Sequence, residues 1–444
     1  MKKHRRILLG AGIALIALVV VPFLIPMSSY IAQAEQAASA ALGVPVKIGG
    51  LRVAILPTPR LNVSDVVVGN DEDFKVDDVA VVPAIFSIFS DVKTISSVTA
   101  KRPVMKKSAL DILASLTKDD KEKTSSPMAV TIREISIRQA MLIWPEMNLP
   151  EVDIDIFLTP DNKPEAAKFE TTDRKLRIDL IPEAGRQLIA ITAKSWTLPV
   201  GVPLLIDQME GEMVLIDNKL DMQNLDINLY GGKVNVNAIL TWQKDWQLSG
   251  KVNVANLQLA KPVSLVSKST QLSGSLSGDG NFKSTANEPA KLVDVLYANF
   301  QFKVLDGVLD GIDLAKAATL LVTKGAADGQ TKFDTLSGLL NVSGKQYHLR
   351  NLDVVSGLMK ATGDVKIKPN KTLDGLVKVE VKKGVSVVAV PLQVSGTVDN
   401  PSVFPTKSAL AGAAAGTAIL GPGVGTSIGI QAADKVKNLF GGGD

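Results

Sequence analysis

The stretch Lys233-Val-Asn-Val-Asn-Ala-Ile-Leu240 decides the fold class. Val234, Val236, Ala238 and Leu240 fall on one side of an extended chain, and Lys233, Asn235 and Asn237 on the other. This period of two is the signature of a strand with one dry and one wet face. In Gln247–Leu259 the apolar set Leu248, Val252 and Val254 keeps the alternation and then shifts register to Leu257 and Leu259, so a β-bulge is expected near Ala255-Asn256. Ala298, Phe300, Phe302 and Val304 repeat the pattern ahead of an expected turn at Asp306-Gly307.

Working outward, residues 128–407 read as strand after strand broken by Gly, Asn, Asp and Pro, with one helical insertion around Asp313 to Thr323. Upstream, the Ala-rich run Tyr30 to Leu42 is closed by Gly43 with Pro45 beyond, a helix ending written in residues. Short β-branched runs follow at Val44–Ile48, Leu51–Leu56, Leu61–Val68 and Val76–Val82. Ser108 with Asp111 three residues later signals a second helix through a capping box ahead of Leu110, Ile112, Leu113 and Leu116. The run from Thr117 to Pro127 carries charges of both signs and no apolar anchor, and is expected to be a linker that closes an N-terminal unit spanning 28–116.

Residues 7–27 contain no ionisable side chain, and a helix of that length crosses a hydrocarbon core. Ile7, Leu15, Val20 and Ile25 mark this expected anchor, behind a cytoplasmic stub, 1–6. Lys2, Lys3, Arg5 and Arg6 precede it and no basic residue follows until Lys47, which orients the N-terminus to the cytoplasm and the remainder to the far side. Ala32-Gln33-Ala34 offers the competing reading of a cleaved signal peptide, whose apolar core is ordinarily shorter.

The chain has 49 basic and 45 acidic residues; removing the four basic residues of the stub leaves 45 of each sign, so charge gives no case for nucleic acid. With no cysteine, disulfides and thiolate metal sites are excluded. Catalytic chemistry finds few candidates. His4 lies in the stub, and His348 sits in a strand-like run with no G-x-S-x-G element beside it. Asp153 and Asp155 alternate along a strand, the ordinary place for solvent-facing charge, and the Lys118–Lys123 run reads as a solvated loop. Gly274, Gly278 and Gly280 lack phosphate-binding spacing and read as turn and bulge residues. No catalytic residue, metal or cofactor is expected.

A meander of roughly 20 strands at about 4.8 Å spacing would extend about 100 Å if it never closed, and its apolar face must be covered. A sandwich or barrel with a dry interior is one solution. A curved sheet whose apolar concavity holds acyl chains is the other.

The residues Ala40-Ala-Leu-Gly-Val-Pro-Val-Lys-Ile-Gly-Gly-Leu-Arg-Val-Ala-Ile-Leu-Pro-Thr-Pro-Arg-Leu61, directly after an anchor, resemble the opening of AsmA-family envelope proteins. Val79–Phe89 and Val98–Val104, ending in Arg102-Pro103, resemble the family's next segment. Gly307–Leu314, Phe333-Asp-Thr-Leu-Ser337 and Pro391-Leu-Gln-Val-Ser-Gly-Thr-Val-Asp-Asn-Pro401 look like its C-terminal region, whereas residues 140 to 290 match only in strand character. The resemblance implies a mainly β protein in which a long, curved and twisted antiparallel sheet with a few short helices forms an open half-pipe, similar to chorein-type bridge lipid-transfer proteins. It implies phospholipids as cargo, an inner-membrane anchor with the bulk in the periplasm, and the outer membrane or an envelope partner protein at the far end. Val234, Val236, Leu240, Leu248, Val252, Val254, Phe300, Phe302 and Val304 are then the candidates for the lipid groove. The alternative is a membrane-anchored scaffold or assembly factor for outer-membrane proteins, with a dry core and no lipid.

Residues 408–444 depart from the strand pattern. Ser408 to Ala433 is uncharged and carries Gly412/Gly416 and Gly425/Gly429 at four-residue spacing, which suits close helix packing, and Gly421-Pro422-Gly423 breaks it into two arms. A hairpin that enters a membrane or docks on a partner, and a loose tail, are both consistent with it.

Overall fold

A computed structural model describes residues 28–85, 87, 92–106, 108–109, 130–143, 149–183, 185–199, 202–267, 271–318, 329–357, 359–383, 386–420, 427 and 430–431. The expected anchor, with Ile7, Leu15, Val20 and Ile25, lies outside them, as does the charged run 117–127. No helix among the described residues is long and apolar enough to cross a membrane. The described residues contain 23 strands and few helices, and the chain divides into two compact units, 1–192 with 199–201 and 193–198 with 202–444.

The first unit opens with helix α1 (Ser28–Leu42), which ends at Gly43 with φ +68°, as the Gly-x-Pro signal requires. Its side chains act on strand β1 (Val46–Ala54): Ser39 Oγ accepts the Val46 N–H at 2.9 Å and Glu35 Oε1 accepts that of Ile48 at 2.7 Å. Two amides of β1 are thereby satisfied without a strand partner. The strand is continuous through Gly49-Gly50, where the sequence reading placed a break, because the register against β2 (Arg60–Val68) is the same before and after Gly49, with Ile48 opposite Val66 and Gly50 opposite Ser64. β3 (Phe74–Pro83) and β4 (Lys93–Lys101) continue the antiparallel meander, and β5 (Val104–Lys106) pairs back onto β3.

The expectation of a purely antiparallel sheet fails at the next step. β6 (Val130–Ile132) and β7 (Glu134–Ile143) run parallel to β4, and β7 also runs parallel to β5. A parallel return needs a long crossover connection, and residues 107–129 supply it. Ser108 begins a helical turn, and its hydroxyl donates to Asp73. The remainder of the expected capping-box helix lies outside the described residues. β8 (Val152–Leu158), β9 (Pro164–Thr171) and β10 (Leu176–Glu183) resume antiparallel order, and the boundary between the units falls within β11 (Arg186–Thr197).

The second unit is a run of consecutive antiparallel pairs: β12 (Leu205–Ile216), β13 (Lys219–Leu229), β14 (Gly232–Trp242), β15 (Trp246–Gln258), β16 (Leu272–Ala286), β17 (Tyr297–Asp310), β18 (Gln330–Ser343), β19 (Gln346–Val355), β20 (Met359–Ile367), β21 (Leu373–Lys383), β22 (Ser386–Thr397) and β23 (Asn400–Pro405). Tyr230-Gly231, both at positive φ, makes the tight link between β13 and β14 that a right-twisted hairpin favours.

One device recurs along these strands. β13, β15, β17 and β19 each carry an extra residue in left-handed conformation, Asn224 (φ +54°), Asn256 (φ +57°), Asp306 (φ +51°) and Asn351 (φ +50°), at the points where the pairing register shifts. The next strand catches the turned-out amide: Asn237 Oδ1 accepts from Asn224 N at 3.1 Å, Ser277 Oγ from Asn256 N at 3.0 Å, and Asp364 Oδ1 from Asn351 N at 3.1 Å. In the first unit, Gln139 (φ +55°) on β7 repeats it, donating to Asp153 Oδ1 at 2.8 Å. Each bulge adds local twist and returns the following apolar residues to the dry face. The bulge expected near Ala255-Asn256 is therefore present, whereas Asp306-Gly307 is a bulge inside β17 rather than a turn. Asn256→Val is expected to cost about 1–2 kcal/mol, since a β-branched residue resists this φ, and Asn256→Gly far less; thermal unfolding of the two variants compares them.

Short helices cover part of the second unit. α2 (Ala260–Ser264) follows β15, and α3 (Leu314–Ala317) follows β17, with the rest of the expected 313–323 helix outside the described residues. α4 (Lys407–Leu420) follows β23. Its small residues Ala409, Gly412 and Ala413 are buried, as helical i, i+3, i+4 spacing demands of a helix lying close on a sheet. Ala409, Ala413 and Ile430 join Leu314 and Ala317 over Val379, Val390 and Leu392, which are 0% exposed. The described part of the C-terminal segment is thus neither a loose tail nor unpartnered: it covers the last strands of its own sheet.

Candidate functional site: an apolar lane

Register brings most of the candidate groove residues onto one face. Val234, Val236 and Leu240 of β14 pair directly with Val254, Val252 and Leu248 of β15. β16 then interposes Gly278, Gly280 and Leu276, which face Phe302, Phe300 and Val304 of β17. The same rows run on in both directions, to Ile227, Leu225 and Leu220 on β13 and to Leu340 and Leu336 on β18. Because the bulges keep the apolar residues in phase, the result is an apolar lane across neighbouring strands, while Lys233, Lys251, Asn253, Gln301 and Lys303 point to the opposite face and are exposed.

The lane is not uniformly open. Val234, Val236, Leu240, Leu248, Val252 and Phe300 are half-buried. Phe302 (9% exposed) and Val304 (1%) belong instead to a dry cluster with Leu259 and Phe333, against which Val263 of α2 packs. Val254 is also buried. At the other margin, Ser284 of β16 is buried and its hydroxyl donates to the Leu292 carbonyl at 2.6 Å, so the turn around Pro289–Lys291 folds onto the end of the row that holds Leu248. Trp242 and Trp246 continue the β14 and β15 rows to the hairpin, stacked with ring centroids 5.3 Å apart. Stacked aromatic pairs add stability beyond their buried area.

β16 is the strand that the sequence reading undervalued. Gly278 and Gly280 are not turn residues: they are central strand positions over which the Phe300 ring lies, and a Cβ at Gly278 would come within 2.8 Å of Phe300 Cζ and 2.3 Å of the Gln301 carbonyl. Only Gly274, at φ +124° beside the β17 bulge, has the irregular role expected of it. Leu276 and Phe282, also on this face, were missed because the glycines between them carry no alternation to follow.

The residues weighed for catalysis sit elsewhere and are otherwise engaged. Asp153 holds the bulge at Gln139, and Asp155 pairs with Arg138 at 2.5 Å and accepts from Ser136 Oγ at 2.9 Å. His348 lies on β19, its cross-strand partners Asn341 and Lys366. Burial, and then the Lys366 and Arg350 charges, lower its pKa against the opposing pull of Asp364. An NMR titration of this imidazole is expected to show a midpoint below about 6.5. Its neutral form is favoured by folding, so its contribution to stability is present above about pH 6.5 and declines as the pH falls through the lowered value. Among the described residues no group of three or more His, Asp or Glu is placed to hold a metal.

The fold and the lane together define a mainly β protein whose second unit presents an apolar sheet face partly roofed by its own short helices. The sequence model of the AsmA family matches residues 159–345, which include β12–β18 and every groove candidate, and this match supports an AsmA-family assignment. The match falls largely on the middle region that resembled the family least, and Ala40–Leu61 and Pro391–Pro401 lie outside it. No curated protein and no solved structure matches the chain.

Proposed function

We propose that this protein binds phospholipid acyl chains along the apolar lane of its second unit and contributes to phospholipid transport between the inner and outer membranes. In this reading residues 7–27 anchor it in the inner membrane, the N-terminus is cytoplasmic, the bulk is periplasmic, and it is a carrier rather than an enzyme. The observation that carries the proposal is the unbroken pairing of half-exposed apolar residues from Leu225 through Val236, Val252 and Gly280 to Phe300 and Leu340, each strand handing the row to the next. Burying each CH₂ contributes about 0.8 kcal/mol, so such a row lowers the cost of holding an acyl chain outside a bilayer while its headgroup stays in water. A lane of this kind equilibrates lipid and does not by itself set a direction.

The scaffold alternative draws support from the last strands, where Val379, Val390 and Leu392 form a closed dry core beneath α3 and α4. The two readings separate on which face meets lipid. A photo-crosslinking side chain at Val252, on the lane, is expected to collect phospholipid adducts in cells, and one at the neighbouring Asn253, on the opposite face, is not. Adducts at neither position, or equally at both, would favour the scaffold.

A further inference from the structure

The same strands carry an open depression of about 630 Å³, lined by the polar-face residues Asn237 and Ile239 of β14, Ser249 and Lys251 of β15, Asn281 and Lys283 of β16, and Tyr297 and Asn299 of β17, and also by Ala238, Gly250 and Phe282 of the lane rows. The polar-face residues take the alternate positions to the lane: Lys251 faces both Asn237 and Asn281, and Ser249 faces both Ile239 and Lys283. The lining is one-sided chemically. It offers the ammonium groups of Lys251 and Lys283, neither of them in an ion pair among the described residues, and contains no carboxylate. The amides are pre-set by their neighbours. Asn237 is fixed between the Asn224 amide and Asn235, while Asn299 donates to Asn281 Oδ1 at 3.5 Å and accepts from Asn341, which leaves the Asn281 amide N–H groups without an acceptor among the described residues. Ile239 (38% exposed) and Tyr297 (55% exposed) add an apolar shelf on a face that is otherwise polar.

We infer that this depression binds an anionic saccharide. Two unpaired cations, a free amide and the Ser249 and Tyr297 hydroxyls suit a ligand rich in acceptors and carrying phosphate or carboxylate. The exposed aromatic ring and isoleucine suit the flat apolar face of a sugar ring, which a bare inorganic anion lacks. The volume falls in the range of small-molecule sites. The lysine, asparagine, serine and tyrosine side chains that would hold the ligand occupy the alternate positions to the lane residues, so the inference stands whether or not the lane carries lipid.

The test uses the full-length chain and four soluble probes: an N-acetylglucosamine disaccharide bearing one phosphate, the same disaccharide without phosphate, inorganic phosphate, and hexaglutamate. The phosphorylated disaccharide is expected to bind at least tenfold more tightly than the other three. K251Q/K283Q should weaken it at least tenfold and Y297A at least threefold, with lipid content and thermal stability of both variants unchanged. Raising the salt concentration should weaken binding of the phosphorylated disaccharide and leave that of the uncharged disaccharide unchanged. No binding, equal affinity for inorganic phosphate or hexaglutamate, or binding unaffected by K251Q/K283Q would overturn the inference. A fully acylated form of the phosphorylated disaccharide identifies the source of the sugar: binding lost with V236D but retained with K251Q/K283Q assigns it to the lane and likewise contradicts the site.

Discussion

Leu392→Ala is expected to lower the unfolding free energy of the second unit by about 2–5 kcal/mol, the cost of a buried leucine truncated where its surroundings cannot collapse. Leu392 is 0% exposed, lies on β22 between Val377 of β21 and Pro405 of β23, and belongs to the cluster covered by α3 and α4. For a unit of this size a loss of 1 kcal/mol lowers Tm by about 2–4 °C, so a fall of several degrees or more is expected in a thermal melt. Ile216→Ala is the control: that residue is 46% exposed at the end of β12 and its loss should change stability by less than about 0.5 kcal/mol. Equal effects at the two sites would show that α3 and α4 do not seal the last strands.

The second large effect is on cargo. Val236→Asp places a carboxylate in the row between Leu225 and Val252, where an acyl chain would have to strip its water. Desolvating a charge without a partner costs several kcal/mol, enough to lower bound phospholipid at least tenfold. Because Val236 is only half-buried, the empty protein can keep that carboxylate hydrated, and the fold should lose no more than about 1–3 kcal/mol. Phe302 is unsuited to this experiment, since at 9% exposure within a dry cluster its substitution by a charge would unfold the protein before it reported on lipid. Asn253→Asp, one residue along from Val252 on the wet face, should leave lipid content unchanged.

The lane was legible where side chains alternate. β14, β15 and β17 wrote their faces directly in Val234–Leu240, Leu248–Val254 and Phe300–Val304, and the bulge at Asn256 could be found because the apolar phase slips by one residue there. The bulge at Asp306 was misread because Asp-Gly marks hairpin turns as well as bulges, and only pairing with both neighbouring strands tells them apart. β16 was opaque for a different reason: its partners in the lane are glycines, and what they contribute is room for the Phe300 ring.

Two further features depend on contacts remote in sequence. The parallel pairing of β7 with β4 joins Val98–Lys101 to Ile135–Arg138 across a long crossover, and neither segment differs in composition from an antiparallel strand. The covering role of α4 was equally hidden. Alanine and glycine at helical spacing suit any close-packed partner, lipid-embedded helix or β-sheet alike, and the partner turned out to be the sheet of Val390 and Leu392. Of the groove candidates, Val234, Val236, Leu240, Leu248, Val252 and Phe300 lie on one shared, half-open face, while Val254, Phe302 and Val304 are buried.

The proposal that the lane carries phospholipid is tested most directly by native mass spectrometry with lipid extraction, on chain lacking its first 27 residues and purified from cells without detergent. The account predicts phospholipid bound to the folded protein and lost from Val236→Asp at unchanged fold. A folded, lipid-free protein that takes up none from liposomes would contradict it.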